Sequence, residues 1–434
     1  MNEHAFVRTE MVPEQSPPAS TIGVVGWLRA NLFSSWLSTA LTILSVAFVL
    51  QLLWGILPWV FLSVWNAESL AACREVMLAT WGDTHGHACW GVINERWLQL
   101  LYGFYPSHLI WRVNLAFVLT LAAMAPVLFA ERVPRHMLYL TAAYPFLLPW
   151  LMWGGSIWNP AMAALGFGLG ALAWRLLEPL AGALVAVITA VAAAILWWLF
   201  LAGFAAEALH AVLPIAMEAV ASRQFGGFML AMLLGIVAIG CSLPIGIVLA
   251  LGRQSNLLIV KGLCVGFIEF IRGVPLITLL FVASLLLNLF LPPGTNFDII
   301  LRVMIMMTLF SAAYMAEVIR GGLAALPKGQ YEGADSLGLN YWQAQRLIIM
   351  PQALKISIPG IVSTFIGIFK DTTLVSIIGL FDVIGLTTAI RADTAWIGVY
   401  WELFAFIALL FFIVCFSMSR YSMYLERKLK TDHH

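Results

Sequence analysis

The segment LPKGQYEGADSLGLNYWQAQRLIIMPQAL, residues 326–354, decides the fold because it separates two long apolar runs with polar residues that carry helical signals. A short helix is predicted over residues 330–337, and Gly338 is placed to take the left-handed position after its C-terminus. Asn340 can cap a second helix, with a glutamine three residues later completing a capping box. Pro351 is expected to end or kink that helix. The prediction is a compact helical knob, which is either a structured connector or a docking element for a partner.

The composition around this segment is that of a membrane protein. Of the 434 residues, 62% are hydrophobic and 10% are charged, whereas soluble domains carry about 25% charged residues. This excludes soluble enzymes, disordered proteins and nucleic-acid binders, and the net charge of +1 indicates no polyionic partner. The apolar stretches are continuous rather than alternating, which predicts helices.

Ten apolar runs predict an all-α polytopic membrane protein with about ten transmembrane helices. The third and fourth runs are short and close together, so a re-entrant pair is an alternative there. The runs are residues 37–63, 113–130, 137–154, 160–176, 181–202, 226–251, 264–291, 298–321, 356–378 and 399–422.

The distribution of Lys and Arg in the loops predicts that both termini are cytoplasmic. With that orientation, only a minority of the basic residues lies outside: Arg74, Arg96, Arg112, Arg223, Arg302 and Arg391. Residues 1–36 and 426–434 are then cytoplasmic tails, 65–111 is an outside loop and 322–355 is an inside loop.

Two cysteines of the outside loop, Cys73 and Cys89, are candidates for a disulfide if that side is oxidising. His85 and His87 lie between them, so a zinc site is an alternative, although the spacing matches no familiar zinc motif. Two free thiols are the third possibility. The other cysteines lie in apolar runs and are expected to be buried hydrophobic residues.

The inside loop contains a family motif. Glu332-Gly333-Ala334-x3-Gly338-x9-Ile348-Ile349-Met350-Pro351 resembles the EAA motif of ABC importer permeases, E-A-A-x3-G-x9-I-x-L-P. The sequence departs from the motif at Gly333, which replaces an alanine, and at Met350, which replaces a leucine. The spacing is intact.

Three flanking segments are similar to signatures of polar amino-acid permeases: residues 267–276 (FIEFIRGVPL), 316–322 (AEVIRGG) and 370–374 (KDTTL). Together the resemblances cover about 223–425, which implies a type I ABC importer permease core of five spans. Residues 37–222 form an additional transmembrane extension. The whole chain resembles the larger permease subunit of general L-amino-acid importers, whose substrates are glutamate, glutamine, aspartate and asparagine.

The resemblance implies a bacterial inner-membrane subunit without an ATPase site of its own. No lysine in the chain follows a glycine, so a Walker A motif is absent from the sequence. ATP and Mg would be used by a separate ATPase dimer. The other implied partners are a second homologous permease, a periplasmic amino-acid-binding protein and membrane lipid. The residues implied to contact the ATPase are Gln330, Tyr331, Glu332, Gly333, Ala334, Asp335, Leu337 and Gly338.

Ionisable residues at membrane depth are candidates for the substrate path, because they are costly to bury and usually mark pathways or internal pairs. They are Glu269, Arg272, Glu317, Lys370 and Asp371, together with Thr372. The spacing of three residues between Glu269 and Arg272 predicts an ion pair on one helix face. Glu317 faces a permease partner, the pathway or Arg320.

Two other classes of protein are alternatives. An ion-coupled secondary transporter would require an inverted repeat and midplane carboxylates, and the sequence has no evident repeat. A membrane-embedded enzyme would require clustered His, Asp or Glu at one face, whereas the eight histidines are scattered or lie in the tails. No metal site is predicted.

Overall fold

The computed structural model describes residues 23–84, 86–286 and 297–430. The chain forms two compact units, Met1–Val92 and Ile93–His434. The functional division between an extension, 37–222, and a core, 223–425, stays a prediction. The outermost residues of both predicted tails and residues 287–291 of the seventh apolar run lie outside the described residues.

The described part of the first unit contains three helices: α1 (Gly23–Asn31), α2 (Trp36–Phe61) and α3 (Leu70–Trp81). The side chain of Ser35 caps α2 by accepting a hydrogen bond from the Ser38 backbone N–H. α2 confirms the first predicted span. α1 lies in a segment predicted as a tail, where sequence reasoning missed it.

The second unit begins with helices that precede the predicted core. They are α4 (Gly91–Tyr102), which starts at the unit boundary, α5 (Ile110–Leu128), α6 (Leu138–Trp153), α7 (Trp158–Ala183) and α8 (Val185–Val212). Gly182, with φ 78°, interrupts the helical backbone between α7 and α8. Two short strands pair with each other in antiparallel orientation: β1 (Gly155–Ser156), between α6 and α7, and β2 (Ala216–Met217), after α8.

Within the described residues, eight further helices belong to the second unit. They are α9 (Gly227–Gln254), α10 (Leu258–Gly273), α11 (Leu276–Leu286), α12 (Ile299–Ala324), α13 (Lys328–Ser336), α14 (Tyr341–Ile378), α15 (Val383–Ala392) and α16 (Trp401–Lys430). α15 lies between the last two predicted spans, where the sequence predicts no helix.

Each of the ten predicted runs coincides with a helix, which confirms the all-α membrane fold, but two runs differ from a simple span. Within the described residues, eight helices are long and apolar enough to cross a membrane, or nine if a bent pair is counted. α6 has 16 residues and two internal prolines, so it is shorter than a full span. α10 and α11 are bent by 101°, because Pro275 cannot continue the hydrogen-bond ladder and restricts the residue before it.

The knob has the predicted local structure but a different boundary. Gly338 has φ 69°, and Asn340 and Gln343 form the reciprocal capping box. Pro351, however, neither ends nor separates the second helix, because α14 runs through it from Tyr341 to Ile378. Residues 345–349, directly before the proline, form a π turn, in which the backbone hydrogen bonds span five residues instead of four. The stretch between the two long helices α12 and α14 is therefore 325–340, and the predicted inside loop 322–355, which includes the ends of both helices, stays a prediction.

Small residues allow the central helices to pack closely. A Cβ on Gly246 of α9 would lie 2.7 Å from the Cβ of Met315 on α12. A Cβ on Gly322 of α12 would lie 2.5 Å from the carbonyl oxygen of Ala353 on α14. These contacts fix α12 between α9 and α14, with a buried apolar cluster around Ile319 at the end nearest the knob.

Candidate functional site: the coupling knob and the charge cluster

The knob consists of α13 and the first turn of α14, and it presents one polar face outward. Ala334 is buried and Tyr331 packs on the apolar cluster around Ile319. Gln330 is half-buried. The remaining residues of the predicted coupling set are exposed: Glu332, Gly333, Asp335, Leu337 and Gly338.

A side-chain hydrogen bond from Gln352 of α14 reaches α13. Nε2 of Gln352 donates to Oε1 of Gln330 at 2.8 Å and to the carbonyl oxygen of Ile348 at 2.9 Å. Because Gln352 belongs to α14, its bond to Gln330 links α13 directly to that long helix.

Exposed apolar side chains lie beside the acidic face of the knob. Leu337 is 74% exposed and Trp342 is 70% exposed. The rings of Tyr341 and Trp342 meet edge to face, with centroids 5.3 Å apart. Large exposed apolar residues rimmed by charge are typical of a protein docking site. The sequence analysis missed these two aromatic residues, although their position immediately after the Asn340 cap was a usable signal.

Five charged residues from three helices form what we term the charge cluster: Arg253 of α9, Glu269 and Arg272 of α10, and Glu317 and Arg320 of α12. Nη1 of Arg253 lies 2.7 Å from one carboxylate oxygen of Glu317. The other oxygen of Glu317 lies 3.1 Å from Nε of Arg320 and 3.5 Å from Nη1 of Arg272. Glu317 is thus the central residue of the cluster.

The ion pair predicted between Glu269 and Arg272 is wrong for the described structure, because each has a partner on another helix. Glu269 pairs with Arg253 at 2.9 Å, and Arg272 contacts Glu317 and lies over the ring of Tyr314. Of the three alternatives for Glu317, its contact with Arg320 is present. The sequence analysis missed Arg253 because pairing between helices is invisible to spacing within one helix.

The remaining path candidates lie elsewhere. Thr372 is buried and its hydroxyl donates to the carbonyl oxygen of Phe369, Asp371 is half-buried and Lys370 is exposed. Gly360 of α14 lies beside Val318, next to the charge cluster, and Lys370 is ten residues, about 15 Å, further along the helix. The structure therefore separates these three residues from the charge cluster.

Comparisons with known proteins decide the family. Residues 242–431 match the family described as the inner membrane component of binding-protein-dependent transport systems. The chain is 56% identical, over the full length of both proteins, to the glutamate/glutamine/aspartate/asparagine transport system permease protein BztC of Rhodobacter capsulatus. It is 42% identical to the inner membrane amino-acid ABC transporter permease protein YhdY of Escherichia coli, over 93% of each chain. The chain belongs to the family of amino-acid ABC transporter permeases.

A solved structure of an amino acid ABC transporter with histidines is 31% identical over 46% of the permease and 90% of that chain, with a TM-score of 0.41. Membership of this family means that the permease is a multi-pass membrane transport component rather than an enzyme. The alternative of an ion-coupled secondary transporter is not supported.

In the first unit of the permease, Cys73 and Cys89 form a disulfide with their Cα atoms 5.9 Å apart. A zinc site that uses both thiolates is therefore wrong. His87 stacks on Trp81 and its Nδ1 lies 2.8 Å from the carbonyl oxygen of Leu62. His85 lies outside the described residues, and the part of the chain that the structure describes contains no group of three metal-ligating side chains.

Helix α4 contacts the ends of core segments in the second unit of the permease. Arg96 forms an ion pair of 2.8 Å with Asp393, which follows α15. A Cβ on Gly103 would lie 2.4 Å from the Cα of Gly226, so only glycine permits this approach. The ring of Phe104 meets that of Phe381 edge to face. These contacts fix α4 against the start of α9 and against the connection between α14 and α15.

Asp382 lies at the same end and is fully buried. One of its carboxylate oxygens accepts a hydrogen bond from the Gly385 backbone N–H at the start of α15, and the other oxygen is buried without a partner among the described residues. Burial raises the pKa of Asp382 to about 6, although backbone hydrogen bonds to the carboxylate act in the opposite direction. Sequence reasoning did not find this residue, because an isolated aspartate before a short helix resembles an ordinary cap.

Proposed function

We propose that the chain is a translocation subunit of an ATP-driven importer for polar L-amino acids and that the knob docks on a separate ATPase. The observation that carries this proposal is the exposed face of α13, with Leu337 and Trp342 beside Glu332 and Asp335. Apolar residues within a charged rim are suited to a stable protein contact.

The substrates proposed are glutamate, glutamine, aspartate and asparagine, because the full-length relative BztC is named for their transport. The partners proposed are an ATPase dimer that uses ATP and Mg, a periplasmic amino-acid-binding protein and a second, homologous permease. The permease itself is proposed to bind no cofactor and to hydrolyse no ATP. Both termini are proposed to be cytoplasmic, which places the knob on the side where ATP is available.

We infer that the charge cluster holds helices together rather than contacting substrate. Glu317 already lies near three arginines, and Glu269 is paired with Arg253. Lys370, Asp371 and Thr372 remain the better candidates for contact with the path, because they lie at the other end of α14 without such a network.

The docking proposal is tested by copurification of the complex from cells that express the permease with the products of neighbouring genes. The double variant Leu337→Ala/Trp342→Ala is expected to insert into the membrane normally but to lose the ATPase subunit. Trp401→Ala is a matched control, because Trp401 is about as exposed as Trp342 but lies at the start of α16 and not in the knob. A double variant that retains the ATPase subunit and substrate-stimulated ATP hydrolysis would contradict the proposal.

A further inference from the structure

A cavity of about 260 Å³ lies between the helices of the extension and those of the core. Its walls come from α4, α5 and α6 on one side and from α9 and α16 on the other. The side chains that define it are mostly large and apolar, and include Phe117, Leu148, Met232, Ile236 and Leu410.

The cavity lies at the depth of a single leaflet. On α9 its wall extends from Phe228 to Ile236, and because α9 begins at Gly227 the wall ends about 14 Å from that helix end. On α16 the wall residue Leu410 is nine residues, about 14 Å, from the start of the helix. Half of the hydrocarbon core is about 15 Å thick. The orientation predicted from the basic residues makes this the outer leaflet.

The hydroxyl groups in the walls have hydrogen-bond partners within the protein. The hydroxyl of Thr120 donates to the carbonyl oxygen of Ala116 at 2.9 Å. The hydroxyl of Tyr102 donates to Oδ1 of Asn114 at 2.7 Å, at the end of the cavity near the start of α5. Ordered water needs two to four polar partners, so these walls favour an apolar occupant over water.

We propose that this cavity is a lipid site that takes one acyl chain of a phospholipid from the leaflet at which α9 begins. A hydrocarbon chain is the molecule available at this depth that matches the apolar walls. Asn114 is exposed, and because its amide oxygen accepts the hydrogen bond from Tyr102, its NH2 group supplies a donor at this end of the cavity that suits an ester or headgroup oxygen. The polar end of the cavity thus matches the polar end of the lipid.

The proposed lipid chain would support the contact between the extension and the core. Phe228 lines the cavity, and its ring meets those of Phe369 and Phe411 edge to face. Phe369 directly precedes Lys370, one of the path candidates. An occupied cavity provides dispersion contacts that an empty one lacks, so the lipid stabilises the helices around this aromatic group.

The test uses the full-length permease reconstituted in phosphatidylethanolamine vesicles that contain a trace of the same lipid with a photoactivatable diazirine in its acyl chain. After illumination, mass spectrometry locates the labelled peptides. The unmodified permease is expected to be labelled in α5 and in the first turns of α9. Met232→Trp fills the cavity with a larger side chain and excludes the acyl chain, so labelling there should fall about tenfold.

Met124→Trp is the matched control, because Met124 is an exposed methionine of α5 outside the cavity, and it should leave cavity labelling unchanged. Leu410→Trp fills the cavity from α16 and provides a second test if Met232→Trp fails to insert. Equal cavity labelling in the unmodified permease and in a folded cavity-filling variant would overturn the proposal, as would labelling confined to outward-facing residues. Loss of cavity labelling on assembly with a second permease would identify a protein as the occupant and would also overturn it.

Discussion

Glu317 balances three arginines with a single carboxylate, so the charge cluster depends on it more than on any of its other members. It is 16% exposed, whereas the other acidic member of the cluster, Glu269, is 55% exposed. Burial strengthens the interaction of a carboxylate with its partners and raises the cost of removing it. The two glutamates therefore differ in environment while sharing Arg253 as a partner.

We expect Glu317→Gln to destabilise the permease by about 1.5–3 kcal/mol, because Arg272 and Arg320 lose their carboxylate partner while Arg253 keeps Glu269. Glu269→Gln is the matched control and should cost less than about 1 kcal/mol, as for exposed ion pairs. Thermal unfolding of both variants in the same detergent measures the difference. Equal melting temperatures for the two variants would show that Glu317 is not the central residue of the cluster.

Asp382 predicts a pH dependence of stability. Its folded-state pKa of about 6 lies above the ordinary aspartate value of 3.8, so the folded protein binds the proton more tightly than the unfolded chain does. The contribution of this group is therefore fully present below about pH 4 and is lost as the pH rises through about 6.

The difference in melting temperature between unmodified protein and Asp382→Asn, followed from pH 7 to pH 5, isolates this group. The unmodified protein should gain about 1.3 kcal/mol relative to the variant over that interval, because the folded-state pKa lies within it and the unfolded-state pKa lies below it. A difference that is independent of pH would contradict the burial of an ionisable carboxyl group at this position.

At the scale of helices, the apolar runs predict where each element lies but not how it bends or ends. The seventh run hides the 101° break between α10 and α11, because hydropathy does not register direction. The Gly273-Val274-Pro275 sequence was the available signal. Pro351 is the opposite case: it was expected to end or kink the second helix, and the helix continues through it after a π turn. Asn340 and Gly338 were predicted correctly because capping is decided by neighbouring residues.

The contact between α12 and α14 predicts opposite results for two adjacent glycines. A Cβ on Gly322 would lie 2.5 Å from the Ala353 carbonyl oxygen, whereas a Cβ on Gly321 would meet nothing within 4 Å. Gly322→Ala should force the helices apart and destabilise the protein by about 1–3 kcal/mol. Gly321→Ala should be neutral or slightly stabilising, because alanine favours a helix. The yield and melting temperature of the two variants test this, and a stable Gly322→Ala protein would show that the two helices are not held at this distance.

At the scale of the whole molecule, the sequence predicted a core with a docking loop and an extension without a motif. It did not predict how the extension meets the core, because the residues that do so are distant in sequence. Gly103 and Gly226 become neighbours only after folding, and the same is true of Arg96 and Asp393. The charge cluster was predicted by residue type but not by pairing, for the same reason.

Reversal of the Arg96–Asp393 pair tests the attachment of α4. Arg96→Asp and Asp393→Arg should each lower stability by less than about 1 kcal/mol, because both side chains are partly exposed. The two changes together should restore part of the loss, and the double-mutant cycle gives the coupling energy. Strict additivity of the two single changes would indicate that the pair does not connect these segments.

The length of α14 has a mechanical consequence. Its 38 residues correspond to about 57 Å, nearly twice the hydrocarbon thickness of about 30 Å. The first turn belongs to the knob, and the last turns contain Asp371 and Thr372. A tilt of about 5° at one end would displace the other end by about 5 Å, close to the rise of one helical turn. A helix of these proportions would act as a lever arm: a small rotation at the knob would shift its other end by about the rise of one helical turn.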